Sequence, residues 1–191
     1  MKYILTFSTF FILLLSCKEQ KKEQEVSQNN IDTLPYYNYT AAINTEADSL
    51  IKIKKQFLKI VTNPNNSNNA SKISLSDFKN LVQLFTQQNI SEPPLKQFYK
   101  EQIFTDLTTN STIINYTTSK DSLPVKNISI MLDAKNANTL KRIDIKNIYS
   151  VPDTLITENY AWIFGKEFYF VKYYEPTNSI AFTTKTNISF K

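Results

Sequence analysis

The stretch Tyr160-Ala-Trp-Ile-Phe-Gly-Lys-Glu-Phe-Tyr-Phe-Val-Lys-Tyr-Tyr174 decides the fold that we predict for this chain. Two runs rich in aromatic residues flank Gly165-Lys166, and glycine readily adopts the positive φ that tight hairpin turns need. Side chains alternate between the two faces of a strand, so Phe168 and Phe170 point to one face and Tyr169 to the other. We therefore expect two antiparallel strands in a sheet that is largely apolar on both faces.

Alternation of apolar and polar residues extends to both sides of this hairpin. Turn residues such as Pro152-Asp153 and Pro176-Thr177-Asn178 separate the alternating runs. The predicted strands cover residues 112–118, 125–133, 140–149, 155–164, 168–174 and 180–190. Consecutive strands joined by short turns predict an antiparallel meander.

Helical periodicity dominates the residues before this meander. The apolar stripe of the first predicted helix consists of Leu50, Ile53, Phe57 and Val61. The sequence Thr45-Glu46-Ala47-Asp48 is typical of a capping box that begins a helix, and Asn63-Pro64 would end it. The polar residues 65–71 that follow predict an exposed loop.

Two further helices are predicted before the strands. The second would begin at Ser74 or Ser76 and end near Asn89, and the third would begin at Ser91 with Pro93 or Pro94 in its first turn. Their apolar stripes consist of Phe78, Leu81, Val82 and Phe85, and of Leu95, Phe98, Tyr99, Ile103 and Leu107. The predicted fold class is α+β, with about three N-terminal helices packed on a C-terminal antiparallel meander of about five or six strands.

This order of elements resembles, in topology alone, the helices and curved sheet of NTF2-like domains and of cystatin-like lipoprotein domains. The resemblance implies a concave sheet that could enclose a small apolar ligand. It rests on no sequence motif and therefore implies no site residue.

The first residues of the chain are typical of a secretory signal. Lys2 precedes the apolar residues 3–15, a run shorter than the roughly 20 residues of a membrane-spanning helix. Leu14-Leu15-Ser16-Cys17 resembles the lipobox of bacterial lipoproteins. That resemblance implies cleavage after Ser16 and lipidation of Cys17, whereas an ordinary signal peptide that happens to end in Ser-Cys is the alternative.

The predicted domains follow from this boundary. Residues 1–16 would be the signal peptide, residues 17–34 the lipidated cysteine with a disordered polar tether, and residues 35–191 a single folded domain. The residue after Cys17 is Lys18, whereas an aspartate there would resemble an inner-membrane retention signal. We therefore expect the protein to be anchored in the outer membrane. The segment Lys18-Glu19-Gln20 loosely resembles a surface-export signal of Bacteroidota lipoproteins, and both the periplasmic face and the cell surface stay open.

The composition argues against most catalytic chemistries. The chain has no histidine and one glycine, so the commonest general base and a glycine-rich phosphate loop are missing. If Cys17, the one cysteine, is lipidated, no free thiol remains either. We therefore predict no catalytic residue, no metal site and no cofactor. The net charge of +5 is spread as single lysines, which does not favour nucleic-acid binding. The sequence leaves the oligomeric state undetermined.

The aromatic hairpin is the candidate binding site. We predict that Tyr160, Trp162, Tyr169 and Tyr173 form an open aromatic platform for an envelope protein or a glycan. The alternative is a central strand that is buried on both faces.

Glycosidase chemistry would need two carboxylates that flank one cleft. Asp144, Glu158, Glu167 and Glu175 show no motif spacing, and exposed, solvated carboxylates explain them.

Four segments resemble the Asp-Ser/Thr-aliphatic acceptor of Bacteroidota O-glycosylation. They are Asp32-Thr33-Leu34, Asp48-Ser49-Leu50, Asp121-Ser122-Leu123 and Asp153-Thr154-Leu155. Thr33 and Ser122 are the predicted acceptors because loops are accessible to a modifying enzyme.

Function is predicted at the level of class. We expect a lipoprotein, anchored to the outer membrane, with a non-enzymatic binding or scaffold domain that engages another envelope component. The alternatives are a carrier of a lipid or small apolar ligand, an immunity or inhibitor lipoprotein, and a hydrolase that uses carboxylates alone.

Overall fold

The computed structural model describes residues 36–136 and 139–191. The predicted signal peptide, the lipidation site at Cys17, the tether and the glycosylation site at Thr33 lie outside these residues. The described helices are α1 (Tyr39–Lys52), α2 (Leu75–Thr86) and α3 (Pro93–Lys96). The described strands are β1 (Phe57–Thr62), β2 (Asn68–Lys72), β3 (Lys100–Asp106), β4 (Ser111–Thr117), β5 (Val125–Asp133), β6 (Leu140–Val151), β7 (Thr154–Ile163), β8 (Glu167–Pro176) and β9 (Phe182–Phe190).

These strands form a single antiparallel sheet. Within the described residues it has nine strands in the order β2-β1-β9-β8-β7-β6-β5-β4-β3. From β3 to β9 each strand lies beside its neighbour in the sequence, whereas the β1–β2 hairpin joins the far side of the sheet by pairing β1 with β9. The first and last strands of the domain therefore meet in the same sheet.

The predicted fold class is wrong in its balance of elements. The sheet dominates the described chain, and β1 and β2 lie between α1 and α2, so the helices do not all precede the strands. The strands predicted from residue 112 onward are present as β4 to β9, and the predicted second helix is present as α2, with Ser74 as its N-cap. The errors all fall before residue 112, in two segments with helical spacing and in one polar segment predicted as a loop.

The first of these errors concerns the residues after α1. The predicted helix continues to residue 61, but α1 ends at Lys52, and Phe57 and Val61 lie in β1. Thr45 does not cap a helix, because it lies inside α1 and its hydroxyl donates to the carbonyl of Ala41. The run Phe57–Thr62 pairs with β9, a partner more than 120 residues away that local spacing cannot show.

The other two errors arise at the edges of the sheet. The predicted loop 65–71 contains most of β2, which is exposed at every residue and therefore shows no alternation. The predicted third helix is reduced to the four residues of α3, and its second half is β3. Ile103 and Leu107 were assigned to a buried helical stripe, but both are exposed.

The core lies between one face of the sheet, here called the helix face, and helices α1 and α2. Phe85 of α2 is fully buried against four aromatic rings from β7 and β8, with centroid distances of 5.2–5.6 Å. Those rings belong to Tyr160, Trp162, Phe168 and Phe170. Such packing of large aromatic side chains supplies much of the buried area that stabilises the fold.

The strand register assigns each side chain to one of two faces. Trp162 pairs with Ile143 on one side and with Phe168 on the other, and directly paired residues share a face. Asp144 pairs with Ala161, which pairs with Tyr169, and these residues belong to the opposite face, here called the outer face.

Candidate functional site

A group of polar side chains lies on the helix face beyond the end of α2. Gln88, two residues after α2, accepts a hydrogen bond at its Oε1 from Nδ2 of Asn147, at 3.0 Å. The register then pairs Asn147 with Glu158, and Glu158 with Lys172. We call Asn147, Tyr149, Glu158, Tyr160 and Lys172 the Glu158 cluster.

Glu158 is the centre of this cluster, since both of its carboxylate oxygens accept hydrogen bonds. The residue is 4% exposed. Its Oε1 accepts from the Tyr149 hydroxyl at 2.9 Å and from Nζ of Lys172 at 2.5 Å, and its Oε2 accepts from the Tyr160 hydroxyl at 2.5 Å. A buried carboxylate is tolerated only when it is paired and hydrogen-bonded in this way.

The charge state of Glu158 follows from two opposing effects on its pKa. Burial raises the pKa, but hydrogen bonds from Lys172, Tyr160 and Tyr149 and the positive charge of Lys172 lower it by more. The net pKa lies below the ordinary value of 4.5, so Glu158 is ionised at neutral pH.

The two phenols of the cluster act as hydrogen-bond donors. Burial, followed by the hydrogen bond to Glu158, raises the pKa of Tyr149 to about 12. The same two causes raise the pKa of Tyr160 further. Both hydroxyls therefore keep their protons at neutral pH and hold Glu158 in place.

Asn147 supplies a polar atom that has no partner among the described residues. Its Nδ2 bonds Gln88, whereas its Oδ1 is buried and accepts no hydrogen bond there. A buried unpaired acceptor costs about 1–3 kcal/mol, so this part of the cluster is not optimised for stability alone.

Aromatic rings border the cluster. Tyr174 and Phe182 stack with a centroid distance of 4.6 Å and an interplanar angle of 16°, and they occupy the next pair along β8 and β9 on the helix face. Ile156 pairs with Tyr149 and with Tyr174 on the same face. Phe182 is 39% exposed, so we call Tyr149, Tyr174 and Phe182 the aromatic rim. Ligand sites commonly combine aromatic surface with a few placed polar groups, and the cluster and the rim together offer both.

The predicted aromatic platform is divided between the two faces of the sheet. Tyr160 and Trp162 lie on the helix face and are buried, and Trp162 is 0% exposed. Tyr169 and Tyr173 lie on the outer face. The four side chains therefore do not form one platform, because residues at odd and even positions of paired strands point in opposite directions.

Trp162 has a structural partner in α1. Its Nε1–H donates to Oε2 of Glu46 at 2.6 Å, and the backbone N–H of Gly165 donates to the other oxygen of the same carboxylate. Glu46 thus joins α1 to the β7–β8 turn. Burial raises the pKa of Glu46, and the bonds from Gly165 and Trp162 oppose that shift only in part.

The outer face around Tyr169 is polar. Arg142 donates to both oxygens of Asp144 at 2.6 Å and to the Tyr169 hydroxyl at 2.8 Å. Nζ of Lys185 lies 4.9 Å from the centre of the Tyr169 ring. These contacts engage Tyr169 with its neighbours, while Tyr173 is exposed further along β8.

Glu158 is separated from the other candidate carboxylates by the sheet. Glu158 lies on the helix face, whereas Asp144, Glu167 and Glu175 lie on the outer face by register. Glycoside hydrolysis requires two carboxyl groups on either side of one bond, and Glu158 cannot form such a pair with any of these three.

Other sequence predictions are located but not tested by the structure. Ser122 is exposed in the turn between β4 and β5, where a modifying enzyme could reach it. Across residues 36–136 and 139–191 we find no group of three or more potential metal ligands. The same residues contain no helix whose length and hydropathy would suit a membrane span.

Surface grooves of about 350 and 420 Å³ lie where the helices meet the β1–β2 hairpin. Their linings include Lys54, Lys55, Lys59 and Lys72. The grooves therefore carry several lysine side chains, whereas the Glu158 cluster has a buried, hydrogen-bonded carboxylate at its centre.

Sequence reasoning missed Asn147, Tyr149, Lys172 and Phe182 as site residues. One available signal was the parity of β7: counting back by twos from the apolar Tyr160 and Trp162 places Glu158 on the buried face. A charged residue on the buried face of a strand indicates a specific partner.

Comparison of the chain with protein-family models, with curated proteins and with solved structures gives no significant match.

Proposed function

We propose that this protein is an outer-membrane lipoprotein, anchored through Cys17, whose folded domain binds another component of the cell envelope without catalysing a reaction. The observation that carries the binding role is the ion pair between buried Glu158 and partly exposed Lys172, which the aromatic rim borders. This surface replaces the platform predicted around Trp162.

The chemistry of the cluster suits reversible binding. Lys172 presents a partly exposed ammonium, and Tyr149 presents a hydroxyl whose proton is engaged by Glu158. The chain lacks histidine, and its one cysteine is the predicted lipid acceptor, so neither an imidazole nor a free thiol would be present for catalysis.

A glycan is the ligand class that this surface favours. Sugar hydroxyls donate and accept hydrogen bonds, which matches the ammonium of Lys172 and the hydroxyl of Tyr149. The apolar faces of sugar rings pack against aromatic side chains, which matches Tyr174 and Phe182. Either side of the outer membrane would expose the domain to envelope glycans.

Binding is tested with the full chain purified from membranes and applied to an array of bacterial envelope saccharides and to purified peptidoglycan. We expect Phe182→Ala to weaken binding at least tenfold, whereas Tyr173→Ala, an exposed aromatic on the outer face, should leave it unchanged. Equal effects of the two variants, or no saccharide binding at all, would remove the glycan proposal.

A photo-crosslinking residue at position 182 distinguishes a protein partner from a glycan. One discrete cross-linked protein that disappears with Lys172→Ala, together with no saccharide binding, would support the immunity or inhibitor alternative.

A carrier with an enclosed cavity receives less support, because aromatic side chains fill the space between α2 and the sheet.

The anchor is tested separately. One acyl chain holds a protein to a membrane only marginally, and two or more hold it firmly. We expect Cys17→Ser to abolish incorporation of labelled palmitate and to shift the protein out of the membrane fraction. Unaltered fractionation of this variant would overturn the lipoprotein assignment.

A further inference from the structure

The edge strand β3 combines unpaired backbone with exposed apolar side chains. In the described sheet β3 pairs with β4 on one side only, so a row of its N–H and C=O groups faces outward. Ile103 is 61% exposed, Phe104 is 49% exposed, and Leu107, in the turn that follows, is 87% exposed. An edge of this kind is a template for pairing with another strand.

The opposite edge of the sheet, β2, also has one unpaired side but is less suited to a partner. β2 is shorter and consists of Asn68-Asn69-Ala70-Ser71-Lys72, with no large apolar residue. Polar and charged side chains on a short strand are the usual protection against edge pairing. β3 therefore stands out as the edge that is suited to a partner.

The sequence of β3 is complementary to itself in the antiparallel direction. When a second copy is aligned so that Ile103 lies opposite Ile103, Lys100 lies opposite Asp106 at both ends of the strand. In the same register Glu101 lies opposite Thr105, and Gln102 opposite Phe104. Every charged residue thus faces an opposite charge or a neutral partner, and the apolar Ile103 lies on the two-fold axis.

We propose that β3 pairs with β3 of a second copy of this chain in the register centred on Ile103, so that two sheets join into one across a two-fold axis. The seven residues of β3 then complete their backbone hydrogen bonds, and two Lys100–Asp106 ion pairs set the register.

The charge of Asp106 is secured by its own turn. Its carboxylate accepts hydrogen bonds from the hydroxyl of Thr109 at 2.7 Å and from the backbone N–H of Thr108 at 2.8 Å, and these bonds lower its pKa. Asp106 is therefore ionised at neutral pH and available to Lys100 of the second copy. The glycan-binding proposal does not depend on this pairing, because the Glu158 cluster lies on β6, β7 and β8.

The first test uses the unaltered full chain. A carbodiimide joins a lysine to a carboxylate in direct contact without adding a spacer. Lys100 and Asp106 of one chain are six residues apart on a strand, or about 20 Å, so an amide between them must join two chains. We expect a cross-linked dimer in which a peptide containing Lys100 is joined to a peptide containing Asp106. When ¹⁴N-labelled and ¹⁵N-labelled chains are mixed, some of these joined peptides should carry one label each, which shows that they come from two chains. A chain that stays monomeric, or that cross-links only at other residues, overturns the proposal.

The second test exchanges the charges. Lys100→Asp places aspartate opposite aspartate, and Asp106→Lys places lysine opposite lysine, so each variant should dimerise at least roughly tenfold more weakly in analytical ultracentrifugation. A mixture of the two variants should recover the dimer, because each end then pairs Asp with Lys. Lys72→Asp on β2 is the matched control and should dimerise as the wild type does. Failure of the mixture to recover, when both variants give native circular dichroism, contradicts the register.

Discussion

Glu46 and Glu158 both accept hydrogen bonds at both carboxylate oxygens, yet their pKa values shift in opposite directions. Glu158 has a cationic partner in Lys172, whereas Glu46 is bonded only by neutral N–H donors of Trp162 and Gly165. A neutral donor offsets only part of the cost of burying a charge, but an adjacent ammonium can offset more than all of it. The two glutamates therefore affect stability differently as the pH changes.

For Glu158→Gln we expect a loss of about 1–3 kcal/mol of unfolding free energy at pH 7. Lys172 is 39% exposed, which keeps the loss below the value for a fully buried pair. Because the folded pKa of Glu158 is lowered, its contribution is present above pH 4.5 and is lost as the pH falls through the folded pKa. Urea denaturation at pH 7 and in acid measures this. Glu175→Gln, on the outer face, is the control, and a difference from wild type that does not shrink in acid would contradict the assignment.

Glu46→Gln is expected to behave in the opposite way. The folded pKa of Glu46 is raised, so its favourable contribution is present below pH 4.5 and is lost as the pH rises through the folded pKa. At pH 7 the neutral glutamine should change stability by less than about 1 kcal/mol, while Glu46→Ala, which removes both acceptors, should cost about 1–3 kcal/mol. Thermal unfolding of the two variants compares them, and equal destabilisation would show that the charge of Glu46 is needed.

At the scale of elements, the end of α1 explains why the predicted first helix was too long. Ile53 is the C-cap, and the N–H groups of Lys54 and Lys55 donate to the carbonyls of Ile51 and Leu50. These bonds form a Schellman motif, which normally has glycine at the position held here by Lys54. The φ of Lys54 is 54°, so a non-glycine residue adopts the left-handed conformation and hides the usual stop signal.

Lys54→Gly should therefore stabilise the protein by up to about 1 kcal/mol, since glycine adopts positive φ without steric cost. Lys52→Gly, in the last turn of the same helix, should instead destabilise it by about 0.5–1 kcal/mol. Chemical denaturation of both variants provides the comparison. A loss of stability in Lys54→Gly as large as that in Lys52→Gly would show that this motif does not persist in solution.

At the scale of the whole molecule, β9 joins the two ends of the domain. It lies between β8 and β1, and Phe57 pairs with Phe190 across more than 130 residues. The backbone of Gln56 also exchanges two hydrogen bonds of 3.0 Å with Lys191. The β1–β2 hairpin therefore depends on the last strand of the chain for its place in the sheet.

Deletion of residues 178–191 should prevent the domain from folding, because it removes β9, exposes β8 as a new edge and separates β1 from the sheet. Circular dichroism and limited proteolysis would show loss of the native sheet and rapid cleavage. A chain that lacks only Lys191 is the control and should remain folded. A protease-resistant core in the longer deletion would show that β3 to β8 fold without β9.

Local alternation was sufficient to predict β4 to β9, because each of these strands pairs with a neighbour in sequence and β5, β6, β7 and β8 each bury one face. The sequence also predicted that α2 begins at Ser74 or Ser76, and the structure has Ser74 as the N-cap, since its hydroxyl accepts from the N–H of Asp77. Two further features can be read from the sequence by itself. The lack of histidine restricts the chemistry that is open to the chain, and the lipobox-like segment ending at Cys17 predicts its compartment.

The tertiary structure alone decided the edges of the sheet and the site. β1 pairs with a strand more than 120 residues away, and β2 and β3 lie at edges where side chains need not alternate, so no local pattern marks them. Glu158 and Lys172 are 14 residues apart in the sequence and meet only because the β7–β8 register places them side by side. Side-chain period is a local property of the chain, whereas register and burial are set by the packing of distant segments.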